Sequence, residues 1–181
     1  MQLSAIFLTI LDKGQFFMLK LFINSNREGV LVKIAIGSDH AAFEYKEKIK
    51  ELLVSESYEI DDCGIYKKKP IEDYSVAEKV ALSVSKKEVD CGILLCATGI
   101  GMSVSANKVP GCIAALCHNL YTARCAREHN DSNILVLGSR VIGLELALEI
   151  INIWLTTAYK GGRHDARNKS FLEFDRKYRK V

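Results

Sequence analysis

The residues able to do chemistry gather in a few short segments. Cys96-Ala97-Thr98-Gly99-Ile100-Gly101 sets a cysteine at the mouth of a glycine-bearing turn, and helical spacing follows it. Consecutive backbone N–H groups in such a turn form a nest for an anion, and a helix start adds partial positive charge. The same field suits a negatively charged sulfur. Gly37-Ser38-Asp39-His40, His118-Asn119, Arg127-Glu128-His129-Asn130-Asp131 and Gly161-Gly162-Arg163-His164-Asp165-Ala166-Arg167 are further polar segments beside apolar runs. A cysteine-dependent phosphatase needs arginine at the sixth position after its cysteine, where this chain has Met102. A Walker-type loop needs Gly-Lys followed by Ser or Thr, which the turn lacks. A dinucleotide site needs G-x-G-x-x-G after the first strand, where the chain reads Gly-Ser-Asp-His. Proton transfer beside a carbonyl remains: a thiolate removes the proton and the nest holds the oxyanion.

Each of these residues also has a purely structural use. Cys96 can be a small apolar residue closing a buried strand. Asp39 can cap the helix that follows it. His129 can be a histidine near the negative end of a helix dipole. Arg163 and Arg167 are four apart, so on a helix they share one face. There they either grip a phosphate, each bidentately, or stand exposed. His118 and His164 are read as structural.

The elements that must position these groups follow from hydrophobic periodicity. Short apolar runs read as strands over Val32–Gly37, Cys91–Cys96, Cys112–Cys117 and Ile134–Leu137, and Tyr58–Asp62 reads as a further strand. Helical spacing covers Ala42–Ser55, Asp73–Lys87, Ile100–Asn107, Leu120–Glu128, Leu144–Leu155 and Arg167–Lys180. Strands alternating with helices, and strands apolar throughout, predict an α/β, Rossmann-like three-layer sandwich. Its core is a five-stranded parallel sheet, and a helix ends the chain. In such a fold the ligand sits beyond the carboxyl ends of the strands.

Composition excludes other classes. The chain has 181 residues, which suits one domain, and a net charge of only +3. Lys and Arg are interleaved with Asp and Glu, so no basic stripe calls for nucleic acid. The basic run from Arg163 to Lys180 is interrupted by acidic residues and reads as a solvated helix face. The 6 cysteines read as reduced, which implies the cytoplasm. Cys91/Cys96 and Cys112/Cys117 are each five apart on a strand, so the members of a pair point to opposite faces. One zinc ion therefore cannot bind both, and no metal is expected. Residues 3–11 are apolar but too short to span a membrane. Residues 1–31 are expected to lie outside the domain of residues 32–181, with Val32 as the true start. A native protein whose mass begins earlier would overturn that.

Taken together, Lys33 to Ala42, Cys96 to Met102, Arg127 to Asp131, Gly138-Ser139-Arg140 and Gly161 to His164 resemble type B ribose-5-phosphate isomerase. The resemblance extends to the family that also holds galactose-6-phosphate isomerase subunits. It runs from about Val32 to the C-terminus. It implies a metal-free, cofactor-free isomerase of ribose and ribulose 5-phosphate, working as a homodimer or a dimer of dimers with its sites at the dimer interface. Cys96 would shuttle the proton between C1 and C2, and Thr98, Gly99 and Gly101 would hold the enediolate. His129 would help open the furanose ring, with Thr98 and Asp39 nearby. Asn130 would hold substrate hydroxyls or the enediolate, Tyr74 would contact the substrate, and His40, Arg163 and Arg167 would bind the phosphate. One departure stands out: the family usually has Gly where this chain has Ala97, which matters if that position needs a positive φ. The alternatives are the same chemistry on a six-carbon phosphate, such as allose or galactose 6-phosphate, or a non-catalytic sugar-phosphate-binding module.

Overall fold

The computed structural model describes residues 31–65 and 74–178. By its internal contacts the chain divides into Met1–Leu31 and Val32–Val181, and the architecture below is that of the second unit. The expected N-terminal extension falls almost wholly outside the described residues. So do the first residue expected in the second helix, Asp73, and the last expected in the final one, Lys180.

Five strands form one parallel sheet: β1 Lys33–Ser38, β2 Glu59–Asp62, β3 Cys91–Cys96, β4 Ala114–Leu116 and β5 Ile134–Gly138. Their order is β2-β1-β3-β5-β4. Six helices connect and follow them: α1 Phe43–Ser55, α2 Ser75–Ser85, α3 Ile100–Ala106, α4 Leu120–Glu128, α5 Leu144–Thr156 and α6 Asp165–Tyr178. The expected three-layer arrangement and its closing helix are therefore present.

Alternation along the strands builds two cores. Ile34, Ile36, Ile93, Leu95, Leu135 and Leu137 face α1, α4 and α5, where Ile49, Leu53, Ile150 and Trp154 meet them. Ala35, Leu94, Cys96, Ile134 and Val136 face α2 and α3, against Val76, Val80, Val84 and Met102. Strands covered on both faces need no polar side, which is why the central β3 and β5 read as unbroken apolar runs, whereas the edge strand β2 is acidic and only partly buried. The cysteine pairs divide between the two cores, Cys91 and Cys96 by the period of β3 and Cys112 and Cys117 from either side of β4. Cys91 and Cys117 lie in the first core, Cys96 and Cys112 in the second.

The fourth strand is shorter than the expected Cys112–Cys117. Asn133 Oδ1 takes the Ile113 N–H at 2.8 Å, and Asn107 brackets Ala114 through both its N–H and its carbonyl, at 2.9 and 2.8 Å. The Asn133 amide thus takes the ladder-facing N–H just before the strand, while Asn107 caps Ala114 at its outer edge, and only Ala114–Leu116 is in register with β5. Such competition between side chain and ladder is invisible to hydrophobic periodicity.

The strand order locates the crevice. β1 connects outward to β2, whereas β3 connects toward β4 on the other side, so the direction of winding reverses between β1 and β3. A ligand site is expected beyond the carboxyl ends of these two adjacent strands.

Candidate active site

Two loops emerge at that reversal. Ser38 pairs with Leu95 in the β1–β3 ladder, and the Asp39 N–H donates to the Leu95 carbonyl at 3.2 Å. Asp39 and His40 are therefore held next to Cys96, the last residue of β3. Asp39 does cap the following 3-10 turn: its Oδ1 accepts from the N–H groups of Ala41 and Ala42 at 2.9 and 3.1 Å. Its carboxylate is thus fixed in place beside the crevice. His40 Nδ1 and Ser38 Oγ are buried at this edge without a hydrogen-bond partner among the described residues.

Cys96 is 5% exposed, and its Sγ accepts the Gly99 N–H at 3.0 Å. Gly99 makes this possible by adopting φ 83, a left-handed conformation that a side chain would strain. The Gly99 N–H, expected to point at a substrate oxyanion, is here directed at the sulfur, which would carry the negative charge before proton abstraction. Thr98 is exposed, and its Oγ1 accepts the Ile100 N–H at 3.3 Å. Tyr74 precedes α2 and lays its ring on Gly101. A Cβ at Gly101 would stand 2.5 Å from two of the ring carbons. Ala97 is not among the non-glycine residues with positive φ, which are Ser57, Lys87 and Asp131 among the described residues. The departure from the usual Gly therefore introduces no backbone strain.

The loop after β5 braces this turn. Ser139 N–H donates to the Cys96 carbonyl and Arg140 N–H to the Ala97 carbonyl, both at 2.9 Å. Gly138 pairs with Cys96, and a Cβ there would stand 2.7 Å from the Thr98 carbonyl oxygen. Gly138-Ser139-Arg140 is thus a support for the cysteine turn. It also brings Arg140, exposed and unassigned by the sequence reading, to this edge.

The remaining candidates stand elsewhere. His129 follows α4, and the turn after it leads into β5 at its amino end. There the Gly92 N–H, near the start of β3, donates to the Asn133 carbonyl. Arg127 pins this turn, pairing with Asp131 at 2.9 Å and stacking over Trp154 at 5.3 Å. Asn130 is exposed on the turn. Arg163 and Arg167 are at the same edge, because Asn168 Nδ2 donates to the His129 carbonyl at 3.0 Å and His164 stacks on His129. They do not lie on one α-helix: Arg163 belongs to the turn before it and Arg167 to the helix itself. Gly161 and Gly162 both take φ 61, Gly162–His164 forms a 3-10 turn, and α6 begins only at Asp165.

One chain therefore holds two groups of candidates. Asp39, His40, Tyr74, Cys96, Thr98, Gly99 and Gly101 lie at the carboxyl edge. His129, Asn130, Arg163 and Arg167 lie at the amino edge, about 16 Å away along β5 at ~3.3 Å per residue. His164, read from sequence as structural, belongs to the second group, and its stack with His129 had no sequence signature. Burial, then the charges of His129, Arg163, Arg167 and Lys160, hold its imidazole below the usual histidine range.

With this geometry in view, similarity to known proteins is informative. The family model described as Ribose/Galactose Isomerase matches residues 34–171. The chain belongs to the ribose/galactose isomerase family. Ribose-5-phosphate isomerase B of Escherichia coli is 43% identical over 145 residues, spanning 80% of this chain and 97% of that protein. A solved Clostridium thermocellum ribose-5-phosphate isomerase B is 46% identical, with a TM-score of 0.80 over 81% of this chain and 99% of that one. D-erythrulose-4-phosphate isomerase of Pectobacterium atrosepticum is 41% identical over 136 residues, covering 73% of this chain and 88% of that protein. As a ribose/galactose isomerase, the chain is an aldose–ketose isomerase with the Rossmann-like fold of its relatives. No helix among the described residues is long and apolar enough to cross a membrane.

Proposed function

We propose that this isomerase interconverts ribose 5-phosphate and ribulose 5-phosphate through an enediolate, with Cys96 as the base. The observation that carries the reading is Cys96 at the end of β3, beside the winding reversal, with the Gly99 N–H 3.0 Å from its sulfur. The Cys96 thiolate takes the C2 proton of the open-chain aldose, and the electron pair forms the C1=C2 bond as negative charge moves to O1. The thiol then returns its proton to C1, the O2 proton passes to O1, and C2 becomes the carbonyl. Protons and electrons balance without an external oxidant, and the reading includes no metal. Thr98 and the Gly101 end of the turn stabilise the enediolate, an effect worth roughly 3 kcal/mol per donor. Asp39 and Tyr74 contact the sugar. His40, with a buried ring nitrogen that needs a polar partner, contacts the phosphate.

The second group acts from another copy of the chain. A carboxyl edge and an amino edge of one sheet cannot meet in a pocket for a five-carbon substrate. A two-fold dimer can set the carboxyl edge of one protomer against the amino edge of the other, so that each site gains His129, Asn130, Arg163 and Arg167 from the partner. His129 then opens the furanose ring, Asn130 holds a hydroxyl and the two arginines hold the phosphate. The working form is a homodimer or a dimer of dimers, and the enzyme acts in the cytoplasm, where pentose phosphates are interconverted.

Activity on ribose 5-phosphate with and without Cys96→Ala tests this. Fast turnover by the wild type, nearly abolished in the variant and indifferent to a chelator, is expected. Undiminished turnover in the variant would assign the base elsewhere. A second reading keeps the chemistry but changes the sugar: the relative at 41% identity is named for a four-carbon phosphate. Six-carbon phosphates are the other choice. A folded wild type idle on ribose 5-phosphate but active on one of these would favour it.

A further inference from the structure

His129 and His164 form a parallel stack, with ring centroids 4.4 Å apart and planes inclined by 14°. His164 is 8% exposed, deep for a polar ring between two arginine-bearing segments. Arg163 Nε donates to His164 Nε2 at 3.3 Å. A ring nitrogen that accepts carries no proton, so His164 is a neutral imidazole with its hydrogen on Nδ1. The surrounding charges favour that form, since Lys160, Arg163 and Arg167 all act on His164. His129 is less enclosed. Its carbonyl is held by Asn168, and its Nε2 lies 3.8 Å from the Glu128 carboxylate, which Lys160 engages at 2.7 Å. One face of the His129 ring is thus covered by His164, and its Nε2 stands toward the Glu128 carboxylate.

We infer that His164 is a positioning residue for His129: the stack fixes the plane of the imidazole that works on the furanose ring, and His164 itself transfers no proton. The inference rests on the reading that His129 opens the ring. A stacked ring restricts rotation about the terminal torsion, which is otherwise broad for histidine. Proton transfer to a ring oxygen depends on that orientation, because a misplacement of about 1 Å can cost on the order of a hundredfold in rate. An aromatic ring of similar size can supply the stack without any titrating nitrogen, whereas alanine cannot.

The chemistry of the two substrates provides a selective readout. Ribose 5-phosphate rests mainly as a closed furanose and must be opened. Ribulose 5-phosphate has its C5 oxygen blocked by phosphate, cannot close such a ring, and enters the reaction open. The enzyme cannot change the equilibrium constant, which ties the two kcat/KM values together, so kcat is the quantity to compare. His164→Ala, His164→Phe and His129→Ala are each measured in both directions on one preparation, so that any loss of folded protein cancels in the ratio. His164→Ala is expected to lower kcat for the aldose on the order of tenfold more than for the ketose. His164→Phe is expected to return the ratio close to that of the wild type. Equal losses in both directions for His164→Ala, or no rescue by His164→Phe, would overturn the inference. An aldose-selective loss in His129→Ala without one in His164→Ala would overturn the role of His164 alone. No aldose-selective loss in His129→Ala would remove the ring-opening reading beneath it as well.

Discussion

Cys96 and His129 stand at opposite edges of the same sheet. Cys96 ends β3 at the carboxyl edge, in register with Gly138, and His129 precedes the amino end of β5 on the side of the sheet that α4 covers. The length of β5 separates them, about 16 Å at ~3.3 Å per residue. A base that acts at C2 and a ring-opening group that acts at O4 of one small sugar must be a few ångströms apart. Within this fold no side-chain rotation closes that gap, which is why the proposed mechanism calls on a second protomer.

The support under the cysteine turn is sensitive to a single methyl. Gly138→Ala would bring a Cβ to 2.7 and 2.8 Å from the carbonyl oxygen and carbon of Thr98, which are backbone atoms. Relief requires the turn to move, at a cost of about 1–3 kcal/mol. Denaturant titration is expected to show that loss, and kcat should fall much more than stability alone explains. Gly143→Ala is the control, since nothing lies within 4 Å of its Cβ and its φ is −69. A change within about 0.5 kcal/mol is expected there.

Ala97 departs from the usual glycine without a positive φ. Ala97→Gly should therefore bring no gain in activity. It should lower stability by about 0.5–1 kcal/mol through the extra freedom of the unfolded chain. A severalfold rise in kcat would show that the methyl obstructs the turn.

A buried ionic cluster joins α1 to the end of β2. Lys46 is fully buried, and its ammonium lies 2.7 Å from Asp62 and 2.9 Å from Glu47; Asp62 also receives Lys50 at 2.7 Å. Burial pushes the Asp62 carboxyl up, but hydrogen bonds from Lys46, Lys50 and the Gly64 N–H outweigh it and hold it below the usual value. A depressed carboxyl contributes stability that is complete above its unfolded value of about 3.9 and lost as pH falls through the folded one. Asp62→Asn should cost about 3 kcal/mol near neutrality by leaving buried charge underpaired. The gap between variant and wild type should begin to narrow below about pH 3.9 and close only as pH falls through the lower folded value. A gap independent of pH would mean that packing, not charge, is lost.

Much of this molecule could be read from residue order, and the failures have identifiable causes. Alternating apolar runs and helical spacings are local, so the five strands and six helices were legible, as was Cys96 at a strand end. The Asn133 side chain that takes the Ile113 N–H just before β4 acts across a turn and carries no periodic mark. Arg163 falls in a 3-10 turn and Arg167 in the helix that follows it, a change of helix type that residue spacing does not register. The segment Arg127–Asp131 precedes its strand instead of following it, so it lies at the opposite edge from Asp39 and Cys96. Reading both kinds of segment as one site required the edges to be distinguished, which depends on strand direction. The role of His164 was hidden because a stack between residues 35 apart is a property of the folded chain.

The most direct test of a site shared between protomers is complementation. Cys96→Ala and His129→Ala, each nearly inactive on ribose 5-phosphate alone, are unfolded together, refolded as a mixture and assayed. In a mixed dimer one site carries both substitutions and the other carries neither. Random pairing then predicts recovery of roughly a quarter of wild-type activity, since half the dimers are mixed and half their sites intact. Activity no higher than the average of the two separate variants, with mixed dimers demonstrated by mass, would contradict the account and require Cys96 and His129 to serve the same site from one chain.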